Sequence, residues 1–419
     1  MEKLSLANVE GKVIDNFQIL EKFSNGAFSV VHFAHHVPTK TYCVAKIIDL
    51  SLQSADEVAG SLHEISVFMQ VSHPNIVSLI RFSYVEPLLF FFMEYLPNGT
   101  LLKYVTSKKG LDEIEARKMF IQLFSALRHL HLTHFLAHRD IKLENILLDK
   151  NHQVKLIDFG LASTFYNSSF KQIVGTPGYM PPEVMAGSEY GEKCDVWSLG
   201  ISLYCMLTSF LPFSIQSRNV KRLLAECETF RPPKAASPLC GDLLMKMLSP
   251  RPDNRPTLLQ LQRHPWMTGL PPITGPIIPS PIQFYQVKNF AAISKFKRHS
   301  VKPDSTLLNT CEQQYGINKE VLEKELAEGL VNDNTTTYFA IQVPQKTQPN
   351  LPELKASINV TVKEAPQPQP SKEKCKTPRL IKKKEPQPMP KRLGRIKPSK
   401  SSPPPNVRLS VFQLRPYVI

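Results

Sequence analysis

Two short runs constrain this 419-residue chain more than anything else in it. They are His138-Arg139-Asp140-Ile141-Lys142-Leu143-Glu144-Asn145 and, eighteen positions after Asp140, Asp158-Phe159-Gly160. Asp-Phe-Gly alone is common, but both runs in this order and at this distance form a demanding pattern. They put proton- and metal-handling side chains on two loops that must converge on one point. Asp158 and Asn145 supply hard oxygen atoms suited to Mg²⁺, Asp140 a carboxylate able to take a proton, and Lys142 a cation. Transfer of a phosphoryl group to a hydroxyl asks for such a set. It needs little covalent help, but it needs an in-line acceptor and neutralisation of charge on the transferring group.

Other segments fall around these runs in a consistent order. Cys43-Val44-Ala45-Lys46-Ile47-Ile48 is a short apolar stretch holding one lysine, which reads as a buried strand that turns Lys46 toward a ligand. Residues Glu57 to Val71 carry Val58, Leu62, Ile65, Phe68 and Met69 at helical spacing, with Glu64 on the same helix. The run from Leu88 to Tyr95 reads as a strand entering the turn Pro97-Asn98-Gly99. Further on come Gly175-Thr176-Pro177-Gly178-Tyr179-Met180-Pro181-Pro182-Glu183, then Asp195-Val196-Trp197-Ser198-Leu199-Gly200 opening a strongly apolar helix, then Arg255 and His264-Pro265-Trp266-Met267.

Together these segments resemble the serine/threonine protein kinases over residues 17–267. The closing His-Pro-Trp-Met and the pattern around Asp140 are similar to the calcium/calmodulin-dependent and AMP-activated-kinase-related branch, including the microtubule-affinity-regulating and sperm motility kinases. The resemblance implies an α+β fold of two lobes, a β-rich N-lobe to about Leu96 and a helical C-lobe, with ATP and Mg²⁺ between them. Asp140 would orient the acceptor hydroxyl and take its proton, and Lys142 would stand by the γ-phosphate. Asn145 and Asp158 would hold the metal. Lys46 would meet the α/β-phosphates, paired with Glu64. The nucleotide would further be lined by Phe23, Gly26, Phe28, Val31, Val44, Met93, Glu94, Leu96 and Leu147, with Met93 at the entrance to the hinge. Asp195 would brace the catalytic loop, and Arg255 would pair with Glu183.

Several positions depart from the pattern. In Phe23-Ser24-Asn25-Gly26-Ala27-Phe28-Ser29 only the middle one of three expected glycines remains, and glycine is what lets backbone amides approach phosphate closely. Val44 replaces an alanine above the adenine slot. Gln172 stands where related kinases carry a phosphorylated threonine, so no phosphate can sit there, and Arg139 loses its usual anionic partner. Thr164, Ser168 and Ser169 are the substitute hydroxyls. These departures keep a second class of function open, a scaffold that binds partners through a kinase fold without transferring phosphate. Retention of Lys46, Glu64, Asp140, Asn145 and Asp158 favours the enzyme.

The remainder of the chain differs in composition. Residues 268–303 are proline-rich and read as a linker packed loosely on the C-lobe. Residues 304–341 show three short helical patterns and resemble the small ubiquitin-associated-like domain that follows the catalytic domain in that branch, where it packs on the kinase. Residues 342–419 carry 17 Lys and Arg against 4 Glu, which is +13 of the chain's net +15, and 15 of its 36 prolines. A tail of that composition cannot bury a core and is expected to be disordered. Lys382-Lys383-Lys384 and Lys391 to Lys397 suit an anionic partner such as acidic lipid, a microtubule or nucleic acid, or a nuclear localisation signal. The scarcity of aromatic residues there argues against a reader of single-stranded nucleic acid. Seven cysteines without a C-x-x-C pair point to reduced packing residues and no zinc site. The stretch from Val196 to Phe213 is broken by polar residues and Pro212, so it reads as a buried helix, not a membrane span. The expectation is a cytoplasmic, monomeric protein acting on protein substrates.

Overall fold

The computed structural model describes residues 4–25, 29–214, 219–268, 279–282, 284, 296–343 and 407–408. Its N-terminal lobe is one antiparallel sheet of six strands: β1 Val13–Ile14, β2 Phe17–Asn25, β3 Ser29–His36, β4 Thr41–Asp49, β5 Leu79–Val85 and β6 Leu88–Glu94, in the order β1-β2-β3-β4-β6-β5. The run Leu88–Met93 shows no alternation because both faces of β6 are covered. Leu89, Phe91 and Met93 join the core that continues into the second lobe, whereas Leu88, Phe90 and Phe92 join a core on the outer face. Strand β4 divides in the same way. Cys43, Ala45 and Ile47 face outward, which leaves Val44, Lys46 and Ile48 on the side of the cleft.

Between β4 and β5 lies α1 (Ala55–Gln70), which starts two residues earlier than its apolar spacing suggests. Ser54 and Glu57 form a reciprocal capping box that fixes this start and satisfies two exposed backbone amides. The second lobe is helical: α2 Leu101–Lys108, α3 Glu113–His134, α4 Pro182–Met185, α5 Lys193–Thr208, α6 Val220–Thr229, α7 Pro238–Met247 and α8 Leu258–Leu261. Short strand pairs carry the loops between α3 and α4, with Ile146–Leu148 against Val154–Leu156 and Leu136–Ala137 against Ser163–Thr164. Helix α5 is buried along nearly its whole length, as its apolar sequence demands. A β-carbon at Gly200 would come within 2.9 Å of both Leu248 and Met247, so glycine sets the close approach of α5 to α7. No helix among the described residues is long and apolar enough to cross a membrane.

The three helices expected near the C-terminus are α9 Ser305–Tyr315, α10 Lys319–Glu328 and α11 Asp333–Gln342, with a core of Leu308, Cys311, Leu322, Leu326 and Tyr338. They lie on the N-terminal lobe. Ala340 and Val343 enter the outer core of the sheet, and Asp333 pairs with Arg81 at 2.9 Å.

The preceding segment is held more firmly than its proline content suggests. Ser280 N–H donates to Thr133 O at 2.7 Å, and Phe284 lies 4.3 Å from the ring of His63. The Arg298 guanidinium donates to Leu79 O at 2.8 Å and stacks 3.8 Å from the ring of Phe339, while His299 N–H donates to Met69 O at the end of α1. Burial lowers the Arg298 pKa to about 10. Expected loose packing thus gives way to specific backbone bonds wherever this segment is described. In the basic tail beyond Val343 the described residues are Val407–Arg408, a strand beside Phe210–Leu211. The two lysine-rich clusters lie outside the described residues.

The second lobe is tied together by Arg255, whose side chain is fully buried and forms a bidentate pair with Glu183 at 2.6 and 2.7 Å. Removing one partner of such a pair strands the other charge in the interior. Arg255→Ala should therefore destabilise the protein by about 3–5 kcal/mol. Chemical denaturation checks this, and an unchanged midpoint would remove the pair from the stability account.

Candidate active site

A single buried carboxylate positions the first functional loop. Asp195, at the start of α5, accepts the backbone N–H of His138 through Oδ2 and that of Arg139 through Oδ1, both at 2.8 Å, and pairs with His131 Nε2 at 2.8 Å. Arg139 is thereby held in the left-handed region, at φ 66°. Burial alone would raise the Asp195 pKa, but the hydrogen bonds from His131 and from the His138 backbone amide overcome it and hold the pKa below the ordinary carboxylate range. Asp195 thus contributes stability above the ordinary carboxylate pKa, and that contribution is lost as pH falls through its lowered value.

Four expected side chains come together on this loop and opposite it. Asp140 Oδ2 pairs with Lys142 Nζ at 2.7 Å and accepts from Asn145 Nδ2 at 2.9 Å. Asp140 Oδ1 accepts from the Thr176 hydroxyl at 2.7 Å, and Lys142 Nζ donates to Thr176 Oγ1 at 2.7 Å. Asn145 makes both of its bonds to Asp140 through Nδ2, which leaves its carbonyl oxygen for another partner. Asp158, at φ 64°, accepts the backbone N–H of Gly160 at 3.2 Å. The next residue, Phe159, is fully buried and lies edge-on to Phe68 of α1 at 5.3 Å. A carboxylate and an amide oxygen are a hard-oxygen donor set suited to Mg²⁺.

The sheet contributes the facing wall. Lys46 Nζ reaches both oxygens of Glu64 at 2.9 Å, and the side chain of Glu64 is 5% exposed. Burial penalises the Lys46 ammonium, yet the carboxylates of Glu64 and Asp158 outweigh it and raise the lysine pKa. Burial likewise pushes the Glu64 carboxyl up, against the pull of Lys46. A cleft of about 500 Å³ opens between the walls, lined by Ser29, Lys46, Glu64, Asp140, Lys142 and Asp158 among others, a size suited to a nucleotide.

This arrangement agrees with a protein kinase domain, and that family matches residues 17–267. The chain belongs to the protein kinase family. It is 35% identical over 280 residues to the hormonally up-regulated neu tumor-associated kinase homolog A of Xenopus laevis, covering 62% of this chain and 40% of that protein. It is 36% identical over 258 residues to the serine/threonine-protein kinase SIK1 of Rattus norvegicus, covering 61% and 33%. To the serine/threonine-protein kinase SIK2 of Gallus gallus it is again 36% identical, covering 61% and 32%. The chain thus spans about a third to two-fifths of the length of these relatives.

The remaining expected nucleotide contacts of this kinase take different places. Val31 pairs with Lys46, and Val44 with Met93, so all four share the cleft face. Leu96 and Leu147 pack into the core beneath, and Phe23 lies 5.0 Å from Phe33 on the sheet. Glu94 differs. Its carboxylate accepts from Ser78 N–H and from Lys155 Nζ at 2.8 Å each, and its backbone N–H donates to Ser78 O at 3.1 Å. Gly26 and Phe28 lie outside the described residues.

Three features were not foreseen. Thr176 bridges Asp140 and Lys142. Thr100 caps α2, accepting Lys103 N–H at 3.2 Å, a role that a threonine ahead of Leu101-Leu102 does signal. Gln172 reaches Arg139, which no periodicity or spacing could show.

Proposed function

We propose that this kinase transfers the γ-phosphate of ATP to serine and threonine hydroxyls of protein substrates. The observation that carries the reading is the joint placement of Asp140, Lys142, Asn145 and Asp158 opposite the Lys46–Glu64 pair, with Asp140 Oδ1 already accepting from an alcohol, that of Thr176, at 2.7 Å. Asp140 would receive the proton of the substrate hydroxyl as its oxygen attacks the γ-phosphorus. The bond from that phosphorus to the β,γ-bridging oxygen breaks, and ADP leaves with the electron pair. Lys142 would counter the charge on the transferring group, and Lys46, fixed by Glu64, would orient the phosphates. Mg²⁺, held by Asp158 and the free oxygen of Asn145, supplies charge neutralisation when bound. Ser24, Ser29 and Val44 alter the walls of the cleft but remove none of these groups, so no observation favours the scaffold reading.

We propose that the protein acts in the cytoplasm and that its basic tail binds an anionic surface or directs nuclear entry. Imaging a chain whose Lys382–Lys384 and Lys391–Lys397 clusters are neutralised tests that placement.

Lys46→Met removes the cation while keeping an unbranched side chain. It should abolish phosphotransfer from Mg-ATP in a protein that still folds, with an unfolding temperature lowered because the buried Glu64 carboxylate loses its partner. Parent-like turnover by the folded variant would show that Lys46 does not handle the phosphates.

Glu144 bears on the substrate. It precedes Asn145, is largely buried and accepts weakly from Tyr179 OH at 3.5 Å; burial raises its pKa. This one carboxylate should favour a basic residue upstream of the acceptor by about 1–2 kcal/mol in kcat/KM. Peptide arrays should show the preference weakened in Glu144→Ala. They should show it strengthened in Thr100→Asp, which adds a carboxylate while keeping the cap of α2. A parent profile indifferent to upstream charge would refute the assignment.

A further inference from the structure

Kinase activation segments are commonly ordered by a phosphate that pairs with arginine. Arg139 here already has four attachments without one. Its backbone N–H is bound to Asp195, its Nε donates to Leu161 O at 2.7 Å, its Nη1 donates to Gln172 Oε1 at 2.9 Å, and its guanidinium lies 4.8 Å from the ring of Phe170. Gln172 is itself held from the other side, since its backbone oxygen accepts from Tyr190 OH at 2.8 Å. One arginine of the catalytic loop therefore joins the beginning of the segment, at Leu161, to its middle, at Gln172.

Other side chains of the segment are also engaged. Gly60 of α1 packs against its beginning, where an added β-carbon would lie 3.4 Å from Gly160 O. Lys171 is 78% exposed and leans toward Glu189 at 4.0 Å. The substitute hydroxyls are occupied locally: Thr164 accepts from Tyr166 N–H at 3.2 Å, Ser168 donates to Thr164 O at 3.1 Å, and Ser169 bonds to Glu189. With this neutral link in place, the Lys46–Glu64 pair is closed.

We propose that Gln172 is a positioning residue: its amide oxygen takes the place of an activating phosphate on Arg139, so that the kinase is ordered for turnover without phosphorylation of its activation segment. This rests on the phosphotransfer reading above, and it assigns to that site a mode of regulation.

The test compares the full chain with Gln172→Ala and Gln172→Glu, each treated with phosphatase, in two readouts. The first is kcat and KM for Mg-ATP with a generic protein substrate. The second is amide hydrogen exchange over residues 161–176, which needs no turnover. Phosphatase should leave the parent rate unchanged. Gln172→Ala should lower kcat by about fivefold, the scale of one hydrogen bond to a charged group at an exposed position, with KM for ATP little changed. It should also speed exchange in the segment. Gln172→Glu keeps an acceptor for Arg139 and should restore both. Parent-like kcat and exchange in Gln172→Ala, or equal losses in Gln172→Glu, would overturn the positioning role, and a large drop in the parent rate after phosphatase would overturn independence from phosphorylation. A parent without turnover would defeat the phosphotransfer reading alone, and the exchange data would still decide what Gln172 does.

Discussion

The catalytic loop depends on one carboxylate, that of Asp195. It is fully buried, yet two backbone amides and a histidine converge on it, and their combined attraction exceeds the cost of taking its charge out of water. The left-handed conformation of Arg139 is sustained by that convergence. From this fixed turn Asp140, Lys142 and Asn145 project together, and Arg139 extends the other way to the activation segment. Both halves of the site, the groups that handle the acceptor and the segment that borders it, thus share one anchor.

The opposite wall is organised through α1. This helix carries Glu64 to Lys46 and Phe68 to Phe159, so Lys46 and the loop bearing Asp158 are referred to the same rigid element. The outer face of the sheet is closed by α11, and the segment before α9 binds the end of α1 through Met69 O. At Gly329 an added β-carbon would fall 1.9 Å from Arg298 O, which shows how closely the three helices sit on the segment that joins them to the kinase domain. Covering that face is what permits the continuous apolar sequence of β6.

Sequence patterns revealed those features that depend on residue type and spacing. Lys46 in an apolar strand, Glu64 on an amphipathic helix, and the order of Asp140, Asn145 and Asp158 all signal a nucleotide site because the chemistry fixes both the groups and their sequence intervals. Three amphipathic helices near the C-terminus were visible for the same reason. Contacts that join distant neutral groups were not. Gln172 looked like the loss of an anionic partner, yet its amide oxygen accepts from Arg139. The Glu94 carboxylate binds Lys155 and the Ser78 amide, a contact that its place at the end of an apolar strand did not signal. The firm seat of Arg298 and His299 depends on backbone carbonyls, which leave no trace in composition, so a proline-rich stretch read as loosely packed.

The claim that Asp140 receives the substrate proton within an assembled phosphotransfer site is tested most directly by incorporation of labelled γ-phosphate from Mg-ATP into a protein substrate, comparing the parent with Asp140→Asn. The substitution keeps the size of the side chain and removes its basic oxygen. The account predicts incorporation on serine and threonine by the parent and its near-complete loss in the variant, with both proteins equally folded. Equal incorporation by the two, or none by a folded parent supplied with Mg-ATP, would contradict it.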